Sequence, residues 1–121
     1  MGVFSGDVET RWADDGRSMI LLNTLTYSDR LSRIWTAPAG SVVDGASIPR
    51  ICWILIGSPF VGRYRRASVI HDVYCQNRLA TWRATHKVFD EMMQTDTVSW
   101  IKRWLMFRAV WFGGPRWEKT P

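Results

Sequence analysis

Apolar and polar positions change rhythm near the middle of the chain. Before about residue 48 the apolar residues come in short runs between polar clusters. "VETRWADDGRSMILLNTLTYSD" holds two such runs around Asp14-Asp15-Gly16, a hairpin turn signal. "RIWTAPAG" reads as a further extended segment, broken by Pro38 and Gly40. In "SVVDGASIPR", Asp44-Gly45 favours a tight turn, and Ile48 before Pro49 is pushed to an extended conformation.

Beyond that point the spacing becomes helical. Pro49 suits the first position of a short helix through "RICWILIG", which "SPFVG" breaks. Further helices are predicted over 63–76, 82–94 and 97–112, the last capped by Thr97 and closed by "GGP". The pattern gives an α+β fold: a small antiparallel N-terminal sheet, then a three- to four-helix C-terminal half. One domain is expected over 1–121, with a β- and loop-rich part at 1–48, a helical part at 49–114 and a tail at 115–121.

The last helix carries two apolar stripes. At ~100° per residue, Val98, Ile101, Leu105, Ala109 and Phe112 share one face and are expected to pack on the core. Trp100, Trp104, Phe107 and Trp111 fall nearly opposite. That aromatic stripe is either buried by the sheet or tail, or is an exposed patch for lipid or a neighbouring subunit.

Composition narrows the field. An apolar share of 46% over 121 residues supports one real core, and 22% charged residues argue for a folded chain. The net charge of +5 is scattered, apart from "GRYRR" and "IKRW". It permits an anionic partner, but no nucleic-acid motif is present, so no specific nucleic acid is expected. Eight Trp exceed what a small core needs and suit interfaces or lipid headgroups. Cys52 and Cys75 make neither a disulfide framework nor a zinc knuckle. The N-terminus is polar and acidic, unlike a signal peptide, and Gly6 misses the myristoylation pattern. No apolar run reaches the ~18 residues of a membrane span. A cytoplasmic product is expected.

The candidate chemistry lies in "ASVIHDVYCQN", residues 67–77. His71 shares a helix face with Ala67, Cys75 and, less squarely, Tyr74, while His86, Phe89 and Met93 form a stripe on the next helix. Antiparallel packing would bring His71 and His86 together. Asp72 points about 100° away, toward the loop that carries Asp44. A His can serve as general base, and an Asp pair can hold calcium. Two His with one or two Asp can instead hold a transition metal. A hydrogen-bonded core pair is the structural alternative.

"IWTAPAGSVVDGASIPRICW", "GRYRRASVIHDVY", "RATHKVFDEMM" and "LMFRAVWFGG", in that order, resemble the phage and prophage family called domain of unknown function 1353, over about residues 34–114. The two middle segments are also similar to small bacterial and fungal phospholipases A2. There, one helix carries a His-Asp pair followed by Tyr, and the next carries an Asp in a "D..F...M" pattern. That resemblance implies His71 as the base that activates water and Asp72 as the calcium carboxylate, with Asp44 in the loop "VVDGAS" as a candidate second calcium ligand. It also exposes two departures: His86 stands where an Asp would orient His71, and Cys75 stands at the expected Tyr, with Tyr74 one place early. A neutral His accepts a hydrogen bond from His71 but does not stabilise an imidazolium as a carboxylate does. In a Ser-His-Asp enzyme, losing that carboxylate costs ~10⁴ in turnover.

These features imply a phage virion or tail structural or assembly protein on a degenerate phospholipase-like scaffold, binding other virion proteins or itself. The alternative is a calcium-dependent lipid hydrolase acting on the host envelope at entry or lysis, with membrane lipid as partner. Either product is expected to be made in the host cytoplasm and to end in the virion or at the envelope.

Overall fold

A computed structural model describes residues 2–16, 18–44 and 64–117. The expected helix through "RICWILIG", and Gly45 and Pro49 before it, lie outside these residues. The rest is α+β as expected. Six strands, β1 (Val3–Phe4), β2 (Thr10–Trp12), β3 (Met19–Leu21), β4 (Leu25–Ser28), β5 (Ile34–Ala37) and β6 (Val42–Val43), precede three helices, α1 (Arg65–Asn77), α2 (Trp82–Thr95) and α3 (Trp100–Gly113).

The strands form two antiparallel sheets where one was expected, ordered β1-β4-β5 and β2-β3-β6. The hairpin read around Asp14-Asp15-Gly16 joins β2 and β3, pairing Trp12 with Met19. Asp15 holds its turn by accepting from the backbone N–H and the hydroxyl of Ser18, both at 2.9 Å, and Gly16 supplies a positive φ of 71°. The chain then changes sheet across residues 22–24. It changes back across 38–41, where Gly40, at φ 88°, donates to the Leu21 carbonyl at 2.7 Å.

The first sheet alternates as a half-buried surface should. Leu25, Tyr27, Trp35 and Ala37 are buried, and Ile34 is exposed. The β4–β5 turn is built on Asp29. Its buried carboxylate accepts from the backbone N–H of Leu31 and Arg33, from Arg33 Nε and from the Trp35 indole.

Helix α1 is the centre of the molecule. Every residue from Ala67 to Cys75 is buried, because β5, β6 and α2 pack around it. It ends at Arg78, in the left-handed conformation, whose N–H returns to the Tyr74 carbonyl. Thr81 caps α2 by accepting from the N–H of Ala84. Arg66, near the start of α1, ion-pairs with Asp96 at the end of α2, so the two helices run antiparallel. Arg66 also donates to the Gly6 carbonyl at 2.7 Å and lies 4.3 Å from the centre of the Phe4 ring, which ties both helices to the first sheet.

Helix α3 differs from expectation in cap and in face. Thr97 has a positive φ of 59°, and Ser99 is the cap, accepting from the N–H of Lys102. The buried residues are Met106 and Val110, not the expected stripe. Val98 of that stripe is buried, but Ile101 (53% exposed), Leu105 and Phe112 (69%) face outward. The reason is that apolar side chains surround this helix, so spacing alone does not select a face. The Arg103–Asp90 ion pair at 3.2 Å and the Trp111–Trp82 ring contact fix its rotation on α2.

Candidate functional site

His71 comes from the middle of the buried helix α1, and His86 from the second turn of α2. Antiparallel packing brings His71 Nε2 to 2.8 Å from His86 Nδ1. The far nitrogen of His86, Nε2, lies 2.9 Å from the Pro115 carbonyl. A carbonyl only accepts, so His86 carries its proton on Nε2. Its Nδ1 then presents a lone pair, and His71 donates from Nε2. The Phe89 ring stacks on His71 with centroids 4.4 Å apart, and Trp82, Trp111 and Trp117 surround His86.

Both imidazoles are fully buried. Burial pushes the pKa of His71 well below its usual value, and the neighbouring His86 adds to the effect. Burial also lowers His86, against the opposing pull of the Pro115 carbonyl. The pair is therefore a neutral, hydrogen-bonded unit near pH 7.

Cys75 completes the cluster. It lies one turn beyond His71 on the same face, with Sγ 3.6 Å from His71 Nε2 and 3.9 Å from Nδ1. Burial raises its thiol to about 12, so the free side chain is not a nucleophile near neutrality.

Asp72 lies apart from this cluster, as its place on the helix requires. Its buried carboxylate accepts from the backbone N–H of Asp44 at 3.1 Å and from Gln76 Nε2 at 2.8 Å. Asp72 and Asp44 thus meet, by way of the Asp44 backbone. Tyr74 turns toward the first sheet, where its hydroxyl accepts from the N–H of Thr36 at 2.9 Å and its ring packs on Trp35.

The aromatic stripe of α3 divides. Trp100 (71% exposed) and Trp104 (53%) stand on the surface. Phe107 and Trp111 are half-buried and lean toward α2, with Trp111 against Trp82. The exposed face joins Trp100, Ile101, Trp104, Leu105 and Phe112. Arg108 lies across it, over the Trp104 and Phe112 rings.

Sequence reasoning missed a second buried polar site. Glu91 accepts from the Tyr27 hydroxyl and from Arg30 Nε, and the same hydroxyl meets Thr95 Oγ1 at 2.9 Å. Tyr27 is pushed up to about 12, by burial first and by Glu91 second. A cleft of about 480 Å³ opens beside Glu91, rimmed by Arg30, Arg33, Arg83 and Lys87; no predicted site residue lines it. Only the Asp beginning the "SDRLSR" turn offered a sequence clue to this corner.

No described helix is long and apolar enough to cross a membrane. No solved structure matches the chain. Two curated relatives come from Sinorhizobium fredii (strain NBRC 101917 / NGR234). Uncharacterized protein y4jT is 38% identical over 118 residues, which cover 96% of this chain and 35% of that protein. Uncharacterized protein y4iH is 38% identical over 103 residues, which cover 85% of this chain and 43% of that protein. The chain spans less than half the length of either. Residues 19–110 match the profile of a family described as protein of unknown function DUF1353, and the chain belongs to that family.

Proposed function

We propose that the protein is an assembly component, of the virion or tail type that its resemblance to a phage and prophage family suggests, and that α3 is its docking surface. The observation that carries this reading is the outward face of α3, where Trp100, Ile101, Trp104, Leu105 and Phe112 stand together in solvent. Single exposed apolar residues are ordinary, but a contiguous patch of this kind marks an interaction site. Interfaces enrich Trp, Phe, Met and Arg, the residue types of this helix.

A second copy fits this face by charge. Helix α3 exposes Lys102 and Arg108 and has no acidic residue, while Arg103 is taken up by Asp90 of α2. The tip of the β2–β3 hairpin exposes Asp14 and Asp15, with Arg11 and Trp12, the latter 58% exposed, on the strand before it. Docking the α3 face of one copy on the hairpin of the next is a head-to-tail contact, which builds rings or filaments. The scaffold beneath keeps the His-Asp step of a phospholipase-like helix but pairs His71 with His86 in a sealed core, which favours a structural role over hydrolysis.

The test is sedimentation of the full chain and of Trp104→Lys over a range of concentration and salt. Reversible, salt-sensitive association that Trp104→Lys abolishes is expected. The hydrolase reading rests on His71 as base with Asp72 and Asp44 around calcium, and His86 in the orienting position counts against it. Calcium-dependent cleavage of phospholipid vesicles by the wild type, lost in His71→Ala, would overturn the assembly reading in its favour.

A further inference from the structure

The core cluster has a donor set that the calcium expectation did not include. His71, Cys75 and His86 each offer one ligand atom, and these three atoms lie within 4.8 Å of one another. Among the described residues this is the group of titratable side chains close enough to share one ion, and neither Asp72 nor Asp44 is part of it. We propose that His71, Cys75 and His86 form a binding site for a borderline transition-metal dication of the zinc type.

Three observations carry the assignment. Spacing is the first. Tetrahedral zinc, with Zn–S near 2.3 Å and Zn–N near 2.1 Å, separates its sulfur and nitrogen ligands by about 3.6 Å and two nitrogens by about 3.4 Å. The Sγ–Nε2 separation of Cys75 and His71 is already 3.6 Å. To admit the ion, the imidazole nitrogens, at 2.8 Å, have to part by about 0.6 Å, and Cys75 Sγ and the His86 nitrogen, within 4.8 Å of each other, have to settle near 3.6 Å.

Orientation is the second. The Pro115 carbonyl holds the Nε2 proton of His86, so its Nδ1 lone pair is aimed into the cluster. A backbone carbonyl on the far nitrogen is the usual outer support of a metal-bound imidazole. Chemistry is the third. Two imidazoles and a thiol suit a zinc-type ion, and calcium or magnesium require oxygen donors.

The protons balance as follows. His71 moves its Nε2 proton to Nδ1 and presents Nε2 to the ion. His86 keeps its Nε2 proton on the Pro115 carbonyl. The Cys75 thiol gives its proton to solvent, so one proton leaves for each dication bound and the site gains one positive charge overall. Without metal the two imidazoles bond each other, so neither facing nitrogen is left buried without a partner.

Cobalt(II) alone is the probe, because its thiolate bond has a charge-transfer absorption. Tag-free chain is refolded with and without cobalt, so that access to the buried site does not limit loading. One equivalent of cobalt, a thiolate band, one proton released, and a rise of roughly 10 °C in thermal midpoint at about 100-fold excess over Kd are expected. Cys75→Ser should abolish the band, and Cys52→Ser should keep it. Absence of the band in the wild type, or a band that persists in Cys75→Ser, overturns the proposal. Should Cys75→Ser not fold, the wild-type stoichiometry and proton count decide alone.

Discussion

His71 Nε2 stands 2.8 Å from His86 Nδ1 in a core that solvent does not reach. The contact requires His86 to keep Nδ1 unprotonated, burial keeps His71 neutral beside it, and both pKa values lie below their usual 6.5. The unfolded chain therefore takes up protons at about pH 6.5 that the folded chain refuses. Folding stability should be fully present above that value and fall as pH drops below it, by up to about 1.4 kcal/mol per pH unit for each imidazole. Urea denaturation at about pH 7.5 and about pH 5.5 reads this directly, and equal free energies at the two values would contradict it.

Thr97 precedes α3 in a left-handed conformation that suits glycine better than a β-branched residue. Thr97→Gly should raise stability by about 1 kcal/mol, and Ser99→Ala should lower it by about 1 kcal/mol by removing the true cap. Thermal unfolding of the two variants should move in opposite directions. Loss of stability in Thr97→Gly would return the capping role to Thr97.

Tyr27 and Glu91 form the polar joint between β4 and α2. Tyr27→Phe leaves the ring in place but strips the buried Glu91 and Thr95 of a partner, at a cost of about 1–3 kcal/mol. Because Tyr27 titrates near 12 when folded and near 10 when unfolded, stability should also decline as pH rises above 10, and less so in Tyr27→Phe. Alkaline denaturation curves for both chains check this.

The two sides of α3 should respond differently. Met106→Ala removes a fully buried side chain and is expected to cost about 2–5 kcal/mol. Phe112→Lys, on the outward face, should change stability by no more than about 0.5 kcal/mol. Denaturant midpoints of the two variants distinguish this arrangement from the expected stripe, in which Phe112 would be the costly position.

The legible parts of the sequence were those with a local cause. The β2–β3 hairpin follows from Asp15 and Gly16, and α2 from the apolar spacing of His86, Phe89 and Met93. The meeting of His71 and His86 followed from two helical stripes packed antiparallel. What was hidden depended on contacts remote in sequence. The rotation of α3 is set by Arg103 on Asp90 and Trp111 on Trp82, which the spacing of an all-round apolar helix does not encode. Division of the strands into two sheets turns on short crossings at 22–24 and 38–41 whose direction no periodicity reveals. Cys75 was visible on the His71 face, but its place in a three-donor cluster needed the register of α1 against α2.

The claim that α3 presents a docking face is tested most directly by sedimentation equilibrium of the full chain. Head-to-tail association with a Kd of about 10 μM or tighter should appear in the wild type, weaken with added salt, and vanish in both Trp104→Lys and Asp14→Lys. A chain that remains monomeric across that range, or whose association survives both substitutions, would show that the tryptophan-bearing face does not join copies of this protein.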